Sequence, residues 1–278
     1  MLTVLSIALC SASCGAPIPA RTDRATRTRA VLVIGLDGLR PDALTRAETP
    51  HLDRLFGRGR STMTGLTHVQ GDTSSGPGWA SVMTGVDALE HGVLHNGMDA
   101  QIRRDQFPTF LQRATERTHW VGVASEDPRV PVMLEPTLRD EVVQGPAGVV
   151  VAGGVAMLRE GRDVVFIVLE GIDEAGHASG FSANNPRYLS AVEEADAAVG
   201  RLVAALGSRP ESDWMVVVVS DHGGEGHGHG PQTPGNQIIP IAYASERLGD
   251  APLEPSERSQ LLVAPSVLAW LRGERPFR

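Results

Sequence analysis

Short apolar runs and amphipathic stretches alternate along most of this chain. Val31-Leu32-Val33-Ile34-Gly35-Leu36 is a continuous, β-branched run that suits a strand buried on both faces. Comparable runs recur at Trp120–Ala124, Asp163–Leu169, Trp214–Val219 and Ile238–Ala242. Between them lie stretches of helical length at Pro108–Arg117, Val151–Arg159 and Pro186–Leu206. The last carries apolar residues at Leu189, Val192, Ala195, Val199 and Leu202. Buried strands alternating with amphipathic helices predict an α/β sandwich around a mostly parallel sheet. No internal repeat or second composition regime interrupts the pattern, so 30–278 reads as one domain.

In such a sheet the ligand site lies beyond the carboxyl ends of the strands. Polar residues collect there. The first run ends in Asp37-Gly38, and the Asp163–Leu169 run leads into Glu170-Gly171-Ile172-Asp173-Glu174-Ala175-Gly176-His177. The Trp214–Val219 run ends in Ser220-Asp221-His222-Gly223-Gly224, with His227 and His229 close behind. Carboxylates and imidazoles gathered at one rim are what a zinc site needs, whereas a cage of carboxylates and carbonyls alone suits calcium or magnesium. Asp173 and His177, four residues apart, share one face if the chain winds there as a turn. Any one of these elements is common by chance. Three of them, each directly after a buried strand, are not.

The amino terminus follows different rules. Leu2 to Leu9 is a short apolar run, and Ser11-Ala12-Ser13-Cys14-Gly15 follows it. That order resembles a secretory segment (1–14) ending at a bacterial lipoprotein cleavage site, with Cys14 as the lipid-attachment position. Export to the periplasm or cell surface is the expectation. The run is too short to span a bilayer in the ordinary way. Residues 15–29 are rich in Pro, Thr and Arg without apolar period and read as a linker. Cys10 and Cys14 are the only cysteines, so no disulfide framework is available to the body of the chain. All 25 basic residues are arginine against 33 acidic ones, a net charge of −8. An acidic chain disfavours nucleic-acid binding by general electrostatics.

The ordered motifs carry a family resemblance. VIGLDGLRPDAL, TPHLDRL, the segment from Ser75-Gly76-Pro77-Gly78-Trp79 to His91-Gly92, DEAGHASGF, and SDHGG followed by Gly228-His229-Gly230 occur in that order. Together they resemble the alkaline phosphatase superfamily, in particular its type I phosphodiesterase/nucleotide pyrophosphatase branch, over about Val31 to Ile241. The resemblance implies a three-layer sandwich and two Zn²⁺ ions. Asp37, Asp221 and His222 would hold one ion, which also contacts the nucleophile; Asp173, His177 and a last histidine would hold the other. For that histidine both His227 and His229 are candidates, and His229 better fits the segment Gly230–Pro234 that follows. The implied nucleophile is Ser75. Sixteen residues separate it from His91 and twenty-one from Asn96, the family's spacing, and Asn96 would donate to a phosphoryl oxygen. The resemblance therefore implies hydrolysis of a small phosphate ester through a covalent phospho-serine. A pseudoenzyme of the same fold and a metal-dependent phosphomutase are the alternatives.

The chain also departs from the family. Gly78 stands where nucleotide-cleaving members often have Asn, which weakens a nucleotide-specific reading. Residues 97–161 must supply strands, a helix and any cap together, so a reduced cap is expected. No C-x-P-x-R segment is present, which disfavours the sulfatase branch. Arg103, Arg104 and Arg129 are the arginines available to a phosphate clamp. Neither the oligomeric state nor a preference for mono- or diesters follows from the sequence.

Overall fold

The computed structural model describes residues 27–67, 70–97, 102–117, 119–139 and 141–277. The expected secretory segment with Cys14, and all but the end of the expected linker, lie outside the described residues.

Eight strands form one sheet. They are β1 (Arg29–Leu36), β2 (Gly59–Leu66), β3 (Val121–Ser125), β4 (Val143–Gln144), β5 (Val164–Leu169), β6 (Asp213–Val219), β7 (Ile238–Ala244) and β8 (Ala251–Pro252). Their order is β4-β3-β5-β1-β6-β7-β2-β8. The pairings leave β7 alone running against the rest, and β1 sits between β5 and β6 with parallel neighbours on both sides. Three of the five expected apolar runs lie on their strands to within one residue at each end; β1 begins two residues before its run, and β7 continues two residues further, to Ala244. β1 takes in Arg29 from the expected linker.

Period-two alternation divides the core. Val31 and Val33 of β1 pack on one face with Trp79, Phe110, Phe166 and Trp270. Leu32, Ile34 and Leu36 pack on the other with Leu52, Tyr188, Val192 and Leu202. Helices Ser75–Thr84, Phe110–Thr115 and Val263–Leu271 cover the first face. Helices Pro50–Gly57, Ala147–Glu160 and Pro186–Ala205 cover the second. This is the three-layer sandwich expected. The expected helix at Val151–Arg159 begins a turn earlier, at Ala147, and the one at Pro108–Arg117 is trimmed to Phe110–Thr115, capped by the Thr109 side chain accepting from Gln112 N. Within 97–161 the described chain is spent on β3, β4 and helices against the sheet, which leaves only a reduced cap.

β2 is the element the hydrophobic pattern does not reveal. Its sequence, GRSTMTGL, is polar, and it is held between β7 and β8 by backbone pairing rather than by an apolar face. Among the described residues no helix is long and apolar enough to cross a membrane.

The Ser75–Thr84 helix is buried along its whole length and lies close against the end of β6. A Cβ on Gly78 would stand 2.8 Å from Asp221 Cβ and 2.9 Å from Asp221 O, so only glycine permits this approach. The Asn found here in some relatives has no room. Gly78→Ala should destabilise the fold by about 1–3 kcal/mol, the usual cost of overpacking, read as a lower urea midpoint with an unchanged slope.

Candidate active site

Strand register builds the rim. Leu36 of β1 pairs with Leu169 of β5, and Gly35 with Val219 of β6, so the chain leaves all three strands at one level. Asp37, Glu170 and Ser220-Asp221-His222 follow at once. Gly38 turns the chain at φ +67°, where a Cβ would meet Asp173 Oδ1 at 2.8 Å. The turn is pinned to the end of β6: Gly38 N donates to Asp221 Oδ1 at 3.2 Å and Leu39 N to Ser220 Oγ at 2.9 Å. Tyr188 closes it from the covering helix, donating its hydroxyl to Gly38 O.

Asp173 and His177 lie on a full helix, Gly171–Ser179, rather than a single turn. The four-residue spacing works as expected, with His177 Nε2 3.2 Å from Asp173 Oδ2. His229 comes from the glycine-rich loop after β6, and its Nε2 lies 3.1 Å from His177 Nε2 and 3.7 Å from Asp173 Oδ1. His222 is fully buried, with Nε2 3.4 Å from both Asp37 Oδ1 and Asp221 Oδ2. Ligand atoms of Asp173, His177 and His229 lie within 4.8 Å of one another, as do those of Asp37, Asp173 and His222. Asp173 therefore belongs to both groups, a sharing the sequence did not suggest.

All three imidazoles are turned the same way. The Nδ1 atoms face backbone carbonyls: His177 that of His227 at 2.9 Å, His222 that of Gly223 at 2.7 Å, and His229 that of Thr73 at 2.9 Å. A carbonyl only accepts, so Nδ1 carries the proton and Nε2 presents a lone pair to the centre. The lone pairs of His177 and His229 point together across 3.1 Å, and Asp173 Oδ1 is buried without a hydrogen bond. These contacts are unfavourable with nothing between them and favourable around a cation. Three imidazoles with three carboxylates fit zinc better than calcium or magnesium.

Ser75 stands at the first position of its helix, buried, with Oγ 3.3 Å from His222 Nε2 and 3.5 Å from Asp37 Oδ1. Trp79, one turn on, donates its indole N–H to Asp37 Oδ2 at 3.1 Å and fixes the carboxylate from the core side. Asn96 is near the surface. Its Oδ1 accepts from Gly76 N at 2.7 Å, which leaves the amide nitrogen as its donor end. His91 is structural: Nε2 meets Ser81 Oγ at 2.9 Å and Nδ1 accepts from Val93 N.

His227 is exposed and touches the site through the backbone, its carbonyl facing His177 Nδ1 and its own Nδ1 facing His177 O at 3.1 Å. Of the two candidates, His229 is the one brought among the ligands. The three arginines separate as cleanly. Arg103 donates to the carbonyls of Leu89 and Glu90, and Arg104 to that of Leu134. Arg129 alone reaches the rim, donating to Asp127 Oδ1 at 2.7 Å and Glu170 Oε1 at 3.2 Å. Asp127 and the role of Glu170 were missed, and Arg129 was named only as one of three available arginines, without its carboxylate partners. The signal was present, since β3 also ends in acidic residues, Glu126-Asp127.

Burial sets the electrostatics. It pushes the Asp37 and Asp221 carboxyls well above the ordinary range, helped by the neighbouring carboxylates. Asp173 rises to about 6, chiefly by burial and against the pull of His177. Burial lowers His222 far below its usual value, and burial together with His177 brings His229 to about 4. Without a cation, burial favours the neutral form of these carboxyls and of the deeper imidazoles.

The fold and this centre define the class, an alkaline phosphatase-like α/β protein with carboxylates and imidazoles converging on a serine. The sequence matches the family model for type I phosphodiesterase/nucleotide pyrophosphatase over residues 31–157 and 137–240, and the chain belongs to that family. Solved structures resemble it at the level of fold. Murine ectonucleotide pyrophosphatase/phosphodiesterase 5, an inactive variant in complex with AMP, is 21% identical with a TM-score of 0.58 over 70% of this chain and 57% of its own. The phosphonate monoester hydrolase of Silicibacter pomeroyi is 16% identical with a TM-score of 0.64, covering 88% of this chain and 73% of its own. A 2-O GAG sulfatase is 14% identical with a TM-score of 0.70, covering 89% and 71%. This chain thus spans little more than half the length of the murine enzyme. No curated protein matches it in sequence.

Two outcomes are expected. Ligation of a metal ion by Asp173 requires it to lose the proton it holds below about pH 6, so any metal binding at this centre must weaken as pH falls through that value. The melting-temperature difference between zinc-loaded and chelator-stripped protein, measured by calorimetry, should be larger at pH 7.5 than at pH 5. Second, on the two-metal reading, His229→Ala should lose metal binding and any turnover together. His227→Ala should cost about 10–100-fold at most, the scale of groups that orient a ligand; metal analysis beside a rate assay checks both.

Proposed function

We propose that this protein is an exported, zinc-dependent hydrolase of small phosphoric esters that works through a phospho-Ser75 intermediate. The observation that carries the reading is Ser75 Oγ at a helix N-terminus, against His222 Nε2 and Asp37 Oδ1, with three imidazole Nε2 atoms turned to the same centre. Family membership supports it. Asp37, Asp221 and His222 would hold one Zn²⁺, and Asp173, His177 and His229 the other. Bound there, the two ions neutralise developing charge on the phosphoryl group and lower the pKa of the oxygens that attack and leave.

The chain's own residues do the rest. The helix N-terminus and Asp37 hold Ser75 Oγ ready, and the positive end of the helix favours its ionised form. Oγ gives up its proton to solvent and attacks phosphorus; the new Oγ–P bond forms, and the bond to the alcohol oxygen opposite breaks, that oxygen leaving as the alcohol with a proton from water. Water then attacks the same phosphorus and loses a proton, the Oγ–P bond breaks, and Ser75 Oγ takes a proton back. The Asn96 amide nitrogen donates to a non-bridging phosphoryl oxygen throughout, a preoriented stabiliser of the charge that builds there. Substrate enters beside His177, whose side chain is 47% exposed, while Asp37 and His222 at the other end are closed to solvent.

The apolar run Leu2–Leu9 and Cys14 support export to the periplasm or cell surface with a lipid anchor. The net charge of −8 and the reduced cap favour small esters over nucleic acid. Two proteins of similar fold, one solved in complex with AMP and one a phosphonate monoester hydrolase, make aryl phosphate mono- and diesters the first substrates to assay.

Zinc-loaded protein should hydrolyse one of these esters, and Ser75→Ala should lose about 10³-fold or more in kcat with zinc content retained. Acid quenching during turnover should trap phosphate on Ser75. A Ser75→Ala variant that keeps its rate, or a zinc-loaded protein with no esterase activity, would sink the reading.

A further inference from the structure

Beside the two ligand groups lies a third gathering of carboxylates. Oxygens of Asp37, Asp127 and Glu170, from the ends of β1, β3 and β5, lie within 4.8 Å of one another. Asp127 is fully buried, and its Oδ2 has no hydrogen-bond partner. Three carboxylates so placed repel strongly, and such a group ordinarily draws a cation. One cation is already present. Arg129 leaves the Pro128 turn with its own backbone N–H on Asp127 Oδ1 at 2.7 Å. Its guanidinium then bridges to the same oxygen at 2.7 Å and to Glu170 Oε1 at 3.2 Å. The side chain is 19% exposed, so its charge is only partly screened, and its field reaches Asp37, Asp173, His222 and His229.

We propose that Arg129 is a built-in cation that takes the place of a third divalent ion at Asp37, Asp127 and Glu170. A guanidinium cannot lose its proton and presents five donors in a fixed plane, so it satisfies two carboxylates at once without depending on metal supply. Arg129 is a positioning residue: it acts through Asp127 and Glu170 on Asp37, the carboxylate beside Ser75, rather than on substrate. The site then needs two metal ions and no magnesium. This inference rests on the two-zinc reading above and deepens it.

The test removes the built-in cation and asks whether a soluble one replaces it. Wild type, Arg129→Ala, Arg129→Lys and the double variant Arg129→Ala/Glu170→Gln are dialysed against Zn²⁺ with and without millimolar Mg²⁺. Bound metals are counted, and kcat and KM are measured separately. Wild type should hold two zinc ions and no magnesium, with rates indifferent to Mg²⁺. Without magnesium, Arg129→Ala should lose about 10–100-fold in kcat or zinc affinity, with little change in KM. With magnesium it should bind one further ion per chain and recover at least about tenfold, within the same scale. Arg129→Lys keeps the charge and should bind no third ion, and the double variant should lose the third ion and the recovery. If Arg129→Ala does not fold, Arg129→Met keeps the stem's bulk and gives the same readout. Wild type taking up magnesium, or a folded Arg129 variant that binds no third ion and is not rescued, would overturn the proposal. A rise in KM alone would place Arg129 on the substrate and overturn it too. Wild type that binds no zinc would instead count against the two-zinc reading, which keeps the two failures apart.

Discussion

Asp37, Asp127 and Asp221 are closed to solvent at the end of one sheet, and Asp173 and Glu170 are nearly so. Two like charges about 4 Å apart repel by about 4 kcal/mol even at an effective dielectric of about 20. A few such contacts rival the whole stability of a domain, about 5–15 kcal/mol. The rim exists only because strong parallel pairing holds the strand ends where their side chains would not go unaided. β1, flanked by β5 and β6 and covered on both faces, supplies that rigidity. The charge must then be relieved by protons, by Arg129 or by bound cations, and the chemistry of the site is the choice among these.

The imidazoles show how far the backbone participates. Each is set by a backbone carbonyl, that of the next residue for His222, while the other two, of Thr73 and His227, come from far along the chain. Thr73 is the more consequential, because the same short segment carries Ser75. It also pairs with Gly230 through both backbone and hydroxyl. His229 and Ser75 are therefore held through one short segment, so their spacing survives whatever the intervening loops do. Gly78 and Trp79 complete the arrangement by letting the helix approach β6 and by tying Asp37 to the core.

The two ligand groups differ in depth. Asp37, Asp221 and His222 are sealed, whereas His177 is half exposed. In the proposed reaction, a deep group beside Ser75 and a shallow group beside solvent would suit an attack from within and a departure towards water. The reduced cap leaves recognition of the rest of the substrate to the rim itself.

The local pattern determined a good deal. Five apolar runs announced five of the sheet's strands, and the polar residues after three of them announced the rim. The motif order then nominated Ser75, the candidate ligands, and His229 over His227 by its distance from the β7 strand, and the fold brings these residues to one centre. What escaped depends on contacts between distant segments. β2 is polar and is a strand only because β7 and β8 flank it. Asp173 belongs to both ligand groups only because its helix lies against the Gly38 turn. Arg129 was one arginine among three until the register of β3 beside β5 set it between Asp127 and Glu170. Apolar runs and helical periods are properties of neighbouring residues and can be read along the chain. Which charge faces which is a property of strand register and loop closure, and only the folded backbone decides it.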